Sequence, residues 1–175
     1  MTMKINSYVP INSHLRKVEI FGYTSKGQPG LEILGIGNRG RTLKEKIIYL
    51  SKRRNLKFNL LRYVLCVEAD DISKGDLNYL ELPLLICFWT MAGILKFGRL
   101  DNCLCAGKVS LEGEVYPLNF SGEVLENWNK CLWESGRMIM ILAGSSHKIG
   151  EYKQIQYLDL EELLNESVTG FKVVA

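Results

Sequence analysis

Apolar residues recur along the chain with the two spacings that are typical of strands and helices. The strand-like spacing predicts strands at residues 17–23, 31–36, 59–69, 137–143 and 155–158. The helical spacing predicts helices at residues 42–54, 80–95, 121–135 and 159–165. Residues 1–16 are expected to be irregular, and residues 171–174 to form an edge strand or to fray. This mixture of hairpins and helices predicts an α+β or mixed α/β fold, and not a doubly wound sheet.

Turn residues divide the predicted strands into two hairpins. Residues 25–30 combine Gly and Pro, so strands 17–23 and 31–36 are expected to form an antiparallel hairpin. Residues 103–118 are expected to form a second hairpin, with Glu112 and Gly113 at its turn. The glycine supplies the positive φ that such a turn needs.

The predicted helix at residues 42–54 has a start signal and one apolar face. Thr42 and Glu45 fit the capping box, in which the hydroxyl and the carboxylate each accept a hydrogen bond from a backbone N–H at the helix start. The apolar face consists of Leu43, Ile47, Ile48 and Leu50.

A glycine pattern lies between the predicted strand at 31–36 and this helix. Residues Gly35 to Gly40 match G-x-G-x-x-G, a pattern that brings a backbone close to pyrophosphate at a helix N-terminus. The preceding strand, however, is expected to be the second strand of a hairpin and not the first of a βαβ unit. The acidic residue expected about 20 positions later is also missing, since Glu68 comes too late. A tight turn is therefore favoured over a nucleotide site.

Length and composition predict one globular domain at residues 1–175. The chain has 175 residues, of which 47% are hydrophobic and 23% charged. The apolar run Leu82–Leu95 is shorter than the roughly 20 residues that span a bilayer, so we expect a buried helix. The N-terminus has no long apolar core, which argues against a signal peptide. We therefore expect a cytoplasmic protein without membrane contact.

Cysteine and histidine usage gives no candidate metal site. The five cysteines form no C-x-x-C motif and lie mostly in apolar runs, as expected for reduced, buried thiols: Cys66, Cys87, Cys103, Cys105 and Cys131. Only His14 and His147 are available as further ligands, so no metal and no cofactor are expected. No nucleophile elbow lies near either histidine.

Charge is distributed unevenly along the chain, although the formal net charge is only +3. Residues 1–60 contain 12 Lys or Arg and 3 acidic residues, whereas residues 61–175 contain 10 and 16. Such an excess of positive charge is typical of a surface for nucleic acid or an acidic partner, although a solvated helix face is the alternative. The candidate nucleic-acid-binding residues are Arg39, Arg41, Lys44, Lys52, Arg53 and Arg54.

Several stretches together resemble the N-terminal domain of Mg-chelatase-like ATPases of the ComM/YifB type, which is related to the Lon protease domain. The resemblance covers about residues 15–165, and its order and spacing are more specific than any single motif. The stretches are KVEI at 17–20, GQPGLEILGI at 27–36, TLKEKII at 42–48, SKG at 73–75, LELPL at 80–84 and AGKVSLEGEVYPL at 106–118.

The resemblance implies a fold like the Lon protease domain and the second domain of ribosomal protein S5, with helices packed on a mixed sheet. It also implies side-by-side packing on a ring ATPase. Relatives of the ComM type act on DNA during natural transformation, so either a partner ATPase or nucleic acid is a candidate target.

The chain departs from this family at the catalytic positions. Lon-type peptidases use a Ser after the P-K-[ED]-G segment and a Lys after the hairpin proline. The corresponding segment here, 74–79, has no Ser, and the Lys position falls at about Gly122. No G-x-x-x-x-G-K-[ST] loop is present in the chain. Neither peptidase nor ATPase activity is therefore expected, and no catalytic residue is assigned.

Three functions follow from these observations. The first is a non-catalytic interaction module that binds a protein partner, such as a ring ATPase, or self-associates. The second is a nucleic-acid-binding accessory protein that uses the basic segment 39–57. The third is a degenerate Lon-like hydrolase with Ser73 or Ser121 as nucleophile and Lys74 or Lys108 as base.

Overall fold

A computed structural model describes residues 2–11, 14–69, 72, 75–97, 100–101, 103–117, 140–142 and 160–169. The strands in these ranges are β1 Thr2–Ile11, β2 His14–Ser25, β3 Gly30–Leu34, β4 Arg62–Glu68, β5 Cys103–Cys105, β6 Gly107–Val109, β7 Val115–Pro117 and β8 Met140–Leu142. The α-helices are α1 Arg39–Arg53, α2 Glu81–Met91 and α3 Leu160–Thr169, and a 3₁₀ helix covers Leu77–Leu80. These elements confirm the predicted α+β class.

The strands form one mixed sheet and one separate hairpin. The six-stranded sheet has the order β3-β4-β2-β1-β5-β8, and β6 pairs with β7. β1 and β4 are antiparallel to β2, whereas the pairs β3–β4, β1–β5 and β5–β8 are parallel. Since β3 and β4 are parallel neighbours joined through α1, they form a βαβ unit.

The predicted hairpin between strands 17–23 and 31–36 is wrong. β4 lies between β2 and β3 and pairs with both of them. Four of its seven residues are buried: Tyr63, Val64, Leu65 and Val67. Such an apolar strand gains most from a central position between two neighbours, which local turn chemistry does not report.

The prediction that residues 1–16 are irregular is also wrong, because β1 is a ten-residue strand. It pairs with β2 along its whole length, from Thr2 opposite Tyr23 to Ile11 opposite His14. Its buried residues alternate as a strand requires, but the polar Ser7 occupies one buried position and interrupts the apolar pattern.

Helix α2 is the centre of the core, as predicted from its apolar run. All eleven of its residues are buried, and Pro83 lies in its first turn. Phe88 makes edge-to-face contacts with Phe58 and Tyr63, at centroid distances of 5.3 and 5.2 Å. Gly22 of β2 gives α2 room to approach, because a Cβ there would lie 2.6 Å from the Met91 sulfur. Within the described ranges, no helix is long and apolar enough to cross a membrane.

The capping box predicted for α1 is wrong, because the helix begins at Arg39, three residues before Thr42. Asn38 is its N-cap and makes no side-chain cap hydrogen bond. Backbone bonds close the first turn, since the Gly40 N–H donates to Gly37 O at 3.1 Å. The apolar face is confirmed, with Leu43, Ile47 and Leu50 buried and Ile48 partly buried.

The second predicted hairpin is confirmed for β6 and β7, with Gly113 at φ 96° in its turn. Residues 103–105, in contrast, belong to β5 in the large sheet. β8 lies within the predicted strand 137–143, and α3 extends the predicted helix 159–165 to Thr169. The predictions for 121–135, 155–158 and 171–174 fall outside the described residues, and the single domain 1–175 stays a prediction.

Gly35 ends β3 in a conformation that only glycine adopts easily. Its φ is 91°, and a Cβ would overlap the carbonyl oxygen of Val67 in β4. Gly37, two residues later, has φ 54°, but a Cβ there would meet no atom within 4 Å. Both glycines therefore have a positive φ, and they differ in the room that a Cβ would have.

We expect Gly35→Ala to lower the free energy of unfolding by about 3 kcal/mol or more, because backbone strain and overlap add. Gly37→Ala is the matched control and is expected to cost only about 1 kcal/mol, from its left-handed backbone alone. Urea unfolding followed by circular dichroism measures both. Equal losses would contradict the assigned close approach of β3 to β4.

Candidate functional site

The six predicted nucleic-acid-binding residues lie on α1 or directly after it, but they form two groups. Arg39, Arg41 and Lys44 lie in the first turns of the helix, whereas Lys52, Arg53 and Arg54 lie at its other end. A helix of this length spans about 22 Å, so the groups are separate surfaces.

The group at the C-terminal end of α1 holds the β6–β7 hairpin. Arg53 Nη1 donates to Leu111 O at 2.8 Å, and Arg54 Nη2 donates to Glu112 O at 3.2 Å. Gly113 packs against the Arg54 guanidinium, so a Cβ at this position would displace the end of the arginine side chain. Two of the six cations therefore stabilise a turn of the fold, and Lys52 remains exposed beside them.

The group at the N-terminal end of α1 is itself divided between the 3₁₀ helix and β3. Arg39 is exposed and its Nη2 donates to Asn78 Oδ1 at 3.2 Å. Arg41 and Lys44 line a groove between α1 and β3, which we call the β3–α1 groove. Its volume is about 450 Å³, and its lining residues are Leu31, Glu32, Ile33, Leu34, Gly40, Arg41, Lys44 and Glu45.

β3 is an edge strand of the six-stranded sheet as far as the described residues define it. The Gly30 N–H donates to Leu61 O at 3.0 Å, so Gly30 points its backbone groups at β4. In a parallel pair alternate residues of a strand point their N–H and C=O groups to opposite sides. The backbone groups of Leu31 and Ile33 therefore point away from β4 and toward α1, which covers them: Leu31 is 1% exposed, and Gly40 of α1 packs against the Ile33 carbonyl oxygen.

The groove is lined by two cations, Arg41 and Lys44, and by two carboxylates, Glu32 and Glu45. Its net charge is positive because Glu32 is already paired with a third cation, Arg62. Glu32 accepts from Arg62 at 2.7 and 3.3 Å, in a two-bond arrangement. This hydrogen bond to Glu32 raises the pKa of Arg62. Within the described residues neither Arg41 nor Lys44 has an ion pair with a carboxylate.

A buried carboxylate that the sequence analysis did not single out anchors α1 from the other side. Glu81, 7% exposed, begins α2, and its Oε1 pairs with Lys46 of α1 at 2.7 Å. Its Oε2 accepts from the Val109 N–H of β6, also at 2.7 Å. The only sequence signal was its place as the charged residue that starts an otherwise apolar helix.

A second ion pair joins the 3₁₀ helix to β6. Lys108 Nζ lies 2.8 Å from Asp76 Oδ2 and 4.6 Å from the centroid of the Tyr79 ring. The hydrogen bond to Asp76 raises the pKa of Lys108. Burial raises the pKa of Asp76, but hydrogen bonds from Lys108 and the Asn78 N–H outweigh it, so the net shift is downward. The pair with Asp76 therefore favours the protonated form of Lys108, whereas a general base must be unprotonated to accept a proton.

The other candidates of the hydrolase hypothesis, Ser73, Lys74 and Ser121, lie outside the described residues. Of the predicted thiols, Cys66 is partly buried, and burial raises the pKa of Cys87 to about 12. No three Cys, His, Asp or Glu side chains that the structure describes come together as metal ligands.

The glycine pattern at residues 35–40 follows β3, the first strand of a βαβ unit. The argument that this strand belongs to a hairpin is therefore wrong. The close contacts of Gly35 and Gly40 are internal: a Cβ on Gly40 would lie 2.7 Å from Ile33 O. Glu68, exposed at the end of β4, still comes later than a ribose-binding acid would. A tight turn remains the interpretation that these contacts favour.

We expect Glu81→Gln to lower the free energy of unfolding by about 2 kcal/mol or more, because it leaves a largely buried ammonium without its carboxylate. Lys17→Gln is the control, since its pair with Glu19 is more exposed and contributes less than about 1 kcal/mol. Urea titration of both variants measures the difference. A Glu81 variant as stable as the Lys17 variant would contradict the anchoring role.

Comparison with known proteins gives no family assignment for the chain. No protein-family model matches the chain, and no curated protein matches it.

Proposed function

We propose that this chain is a non-catalytic interaction module that binds a protein partner. The observation that carries the proposal is a pair of adjacent leucines, Leu60 and Leu61, that are exposed directly before β4. Leu60 is 82% exposed and Leu61 is 42% exposed, whereas Leu34, which is 47% exposed, lies at the opposite end of the β3–β4 pair. Adjacent exposed aliphatic side chains are typical of a contact surface.

The polar clusters of the described residues support a non-catalytic role. Four carboxylates are each held in an ion pair of 2.6–2.8 Å: Glu19, Glu32, Asp76 and Glu81. Lys108 is held protonated by one of these pairs. Of the two candidate bases in the hydrolase alternative, Lys108 is therefore the less suited one.

The resemblance to Mg-chelatase-like ATPases supports a choice of partner. It makes a ring ATPase the first candidate, and a cytoplasmic location belongs to the same proposal. Self-association is the other form of the proposal, because domains of that family pack side by side in rings.

Nucleic-acid binding is a second candidate, favoured by the cations of α1 that face solvent. Arg39, Arg41 and Lys52 are exposed, and no acidic residue lies in the first turn of α1. Arg53 and Arg54, however, are engaged with the hairpin turn. A surface with fewer cations makes fewer phosphate contacts, so its binding would fall less steeply with added salt.

A photo-crosslinking amino acid in place of Leu60 tests the proposed module. In cells that make the protein naturally, we expect this variant to form a discrete crosslinked protein species, because Leu60 is the more exposed of the two leucines before β4. The same substitution at Leu111, 51% exposed in the β6–β7 turn, is the matched control and is expected to give none.

The sizes of the crosslinked species distinguish the two forms of the proposal. A species of twice the chain mass indicates self-association, and a larger or different mass indicates another protein. Absence of any species at position 60, or equal species at 60 and 111, would contradict an interaction surface at the leucines before β4.

A further inference from the structure

We propose that Leu60 and Leu61 bind a segment of another protein that combines aliphatic residues with carboxylates. This inference rests on the proposed function and specifies the chemistry of the partner. Its source is the juxtaposition of two exposed leucines with two exposed lysines, in chain segments that contain no acidic residue.

Hydrogen bonds hold the backbone of the two leucines in a fixed position. The Asn59 carbonyl oxygen accepts from the Tyr63 hydroxyl at 3.0 Å and from the Leu61 N–H at 2.9 Å. The Leu61 carbonyl oxygen accepts from the Gly30 N–H at 3.0 Å. Phe58, directly before this stretch, packs edge-to-face on the Tyr63 ring at a centroid distance of 6.5 Å. The leucine side chains are therefore exposed on a fixed backbone, as a contact surface of defined shape requires.

Two lysines lie near the leucines and select the chemistry of the partner. Lys57 is three residues before Leu60, so their Cα atoms are within about 11 Å of each other. Lys26 directly follows β2, whose last residue pairs with the first residue of β4. Both lysines are exposed, and within the described residues neither has an ion pair.

The charge around the leucines is of one sign in the two segments that meet there. Residues 24–31 and 52–61 contain five Lys or Arg and no Asp or Glu. The nearest acid along β3 is Glu32, which Arg62 already holds in an ion pair. An apolar centre with a cationic rim favours a partner that has aliphatic residues beside carboxylates.

A second copy of the chain fits this surface less well. Its β6–β7 turn offers Leu111 with Glu112 and Glu114. Arg53 and Arg54, however, hold this turn and offset its negative charge. Helix α3 also combines acids with leucines, but two of these leucines are only 2% exposed.

Nucleic acid is the other alternative occupant. It is bound mainly through cations that contact phosphate groups. Two adjacent leucines with exposures of 82% and 42% add nothing to such contacts, whereas they supply the apolar centre of a protein interface. A separate acidic and aliphatic protein segment is therefore the better occupant.

The photo-crosslinking amino acid at position 60 reports the chemistry of the partner as well as its presence. Mass spectrometry of the species formed in cells that make the protein naturally identifies the peptide joined to position 60. We expect this peptide to contain aliphatic residues flanked by Asp or Glu.

Charge-reversal variants of the same crosslinking protein test the lysines. We expect Lys26→Glu and Lys57→Glu each to lower the crosslink yield about fivefold, because a carboxylate of the partner then faces a like charge. Arg41→Glu is the matched control, an equal charge change at an exposed residue near the other end of α1, and should change the yield less than about twofold. Exchange of the partner's carboxylate for lysine should restore the yield of Lys57→Glu. Circular dichroism of every variant separates a lost contact from a lost fold.

Each alternative has its own result. Unchanged yields in both lysine variants, or a crosslinked peptide without acidic residues, would overturn the acidic partner and retain the interaction module. Equal losses for Arg41→Glu and Lys57→Glu, with a species that nuclease removes, would overturn it in favour of nucleic acid. A crosslinked peptide from this chain itself would assign the surface to a second copy. Absence of any species at position 60 would contradict the proposed function as well.

Discussion

The carboxylate of Glu81 is the interaction on which the arrangement of the other elements depends. It lies at the first residue of α2, where the helix dipole favours negative charge, and it is almost fully buried. An ionised carboxylate in such a place is unfavourable unless it is paired and hydrogen-bonded. Lys46 and the Val109 N–H supply these partners, so burial of one charge fixes α1, α2 and β6 together.

This constraint decides which side of α1 is available to a partner. Lys46 and the apolar face turn one side of the helix toward the core, and Arg53 with Arg54 hold its end against the β6–β7 turn. Arg41 and Lys44 are left at the side that faces β3. The candidate surface is therefore formed by rigid elements, which is how binding sites keep their geometry.

The sequence predicted elements better than their neighbours in space. The apolar run of α2, the face of α1 and the β6–β7 turn have local periodicities, and all three are confirmed. β1 was missed because Ser7 interrupts its alternation, and the pairing of β2 with β3 was wrong because β4 lies between them. The groove could not be predicted for the same reason, since the packing of α1 against β3 depends on the order of the strands. The cations of α1 were visible in the sequence, but their division into a structural pair and a surface group was not.

Amide hydrogen exchange at Val109 tests the central claim, that one buried carboxylate joins α1, α2 and β6, most directly. The Val109 N–H donates to Glu81 at 2.7 Å, so it should exchange slowly in the native protein and much faster in Glu81→Leu, which has no acceptor at this position. The N–H groups of the central strand β4 are the control and should stay protected in both proteins. Equal exchange rates of the Val109 N–H in the two proteins would contradict the account.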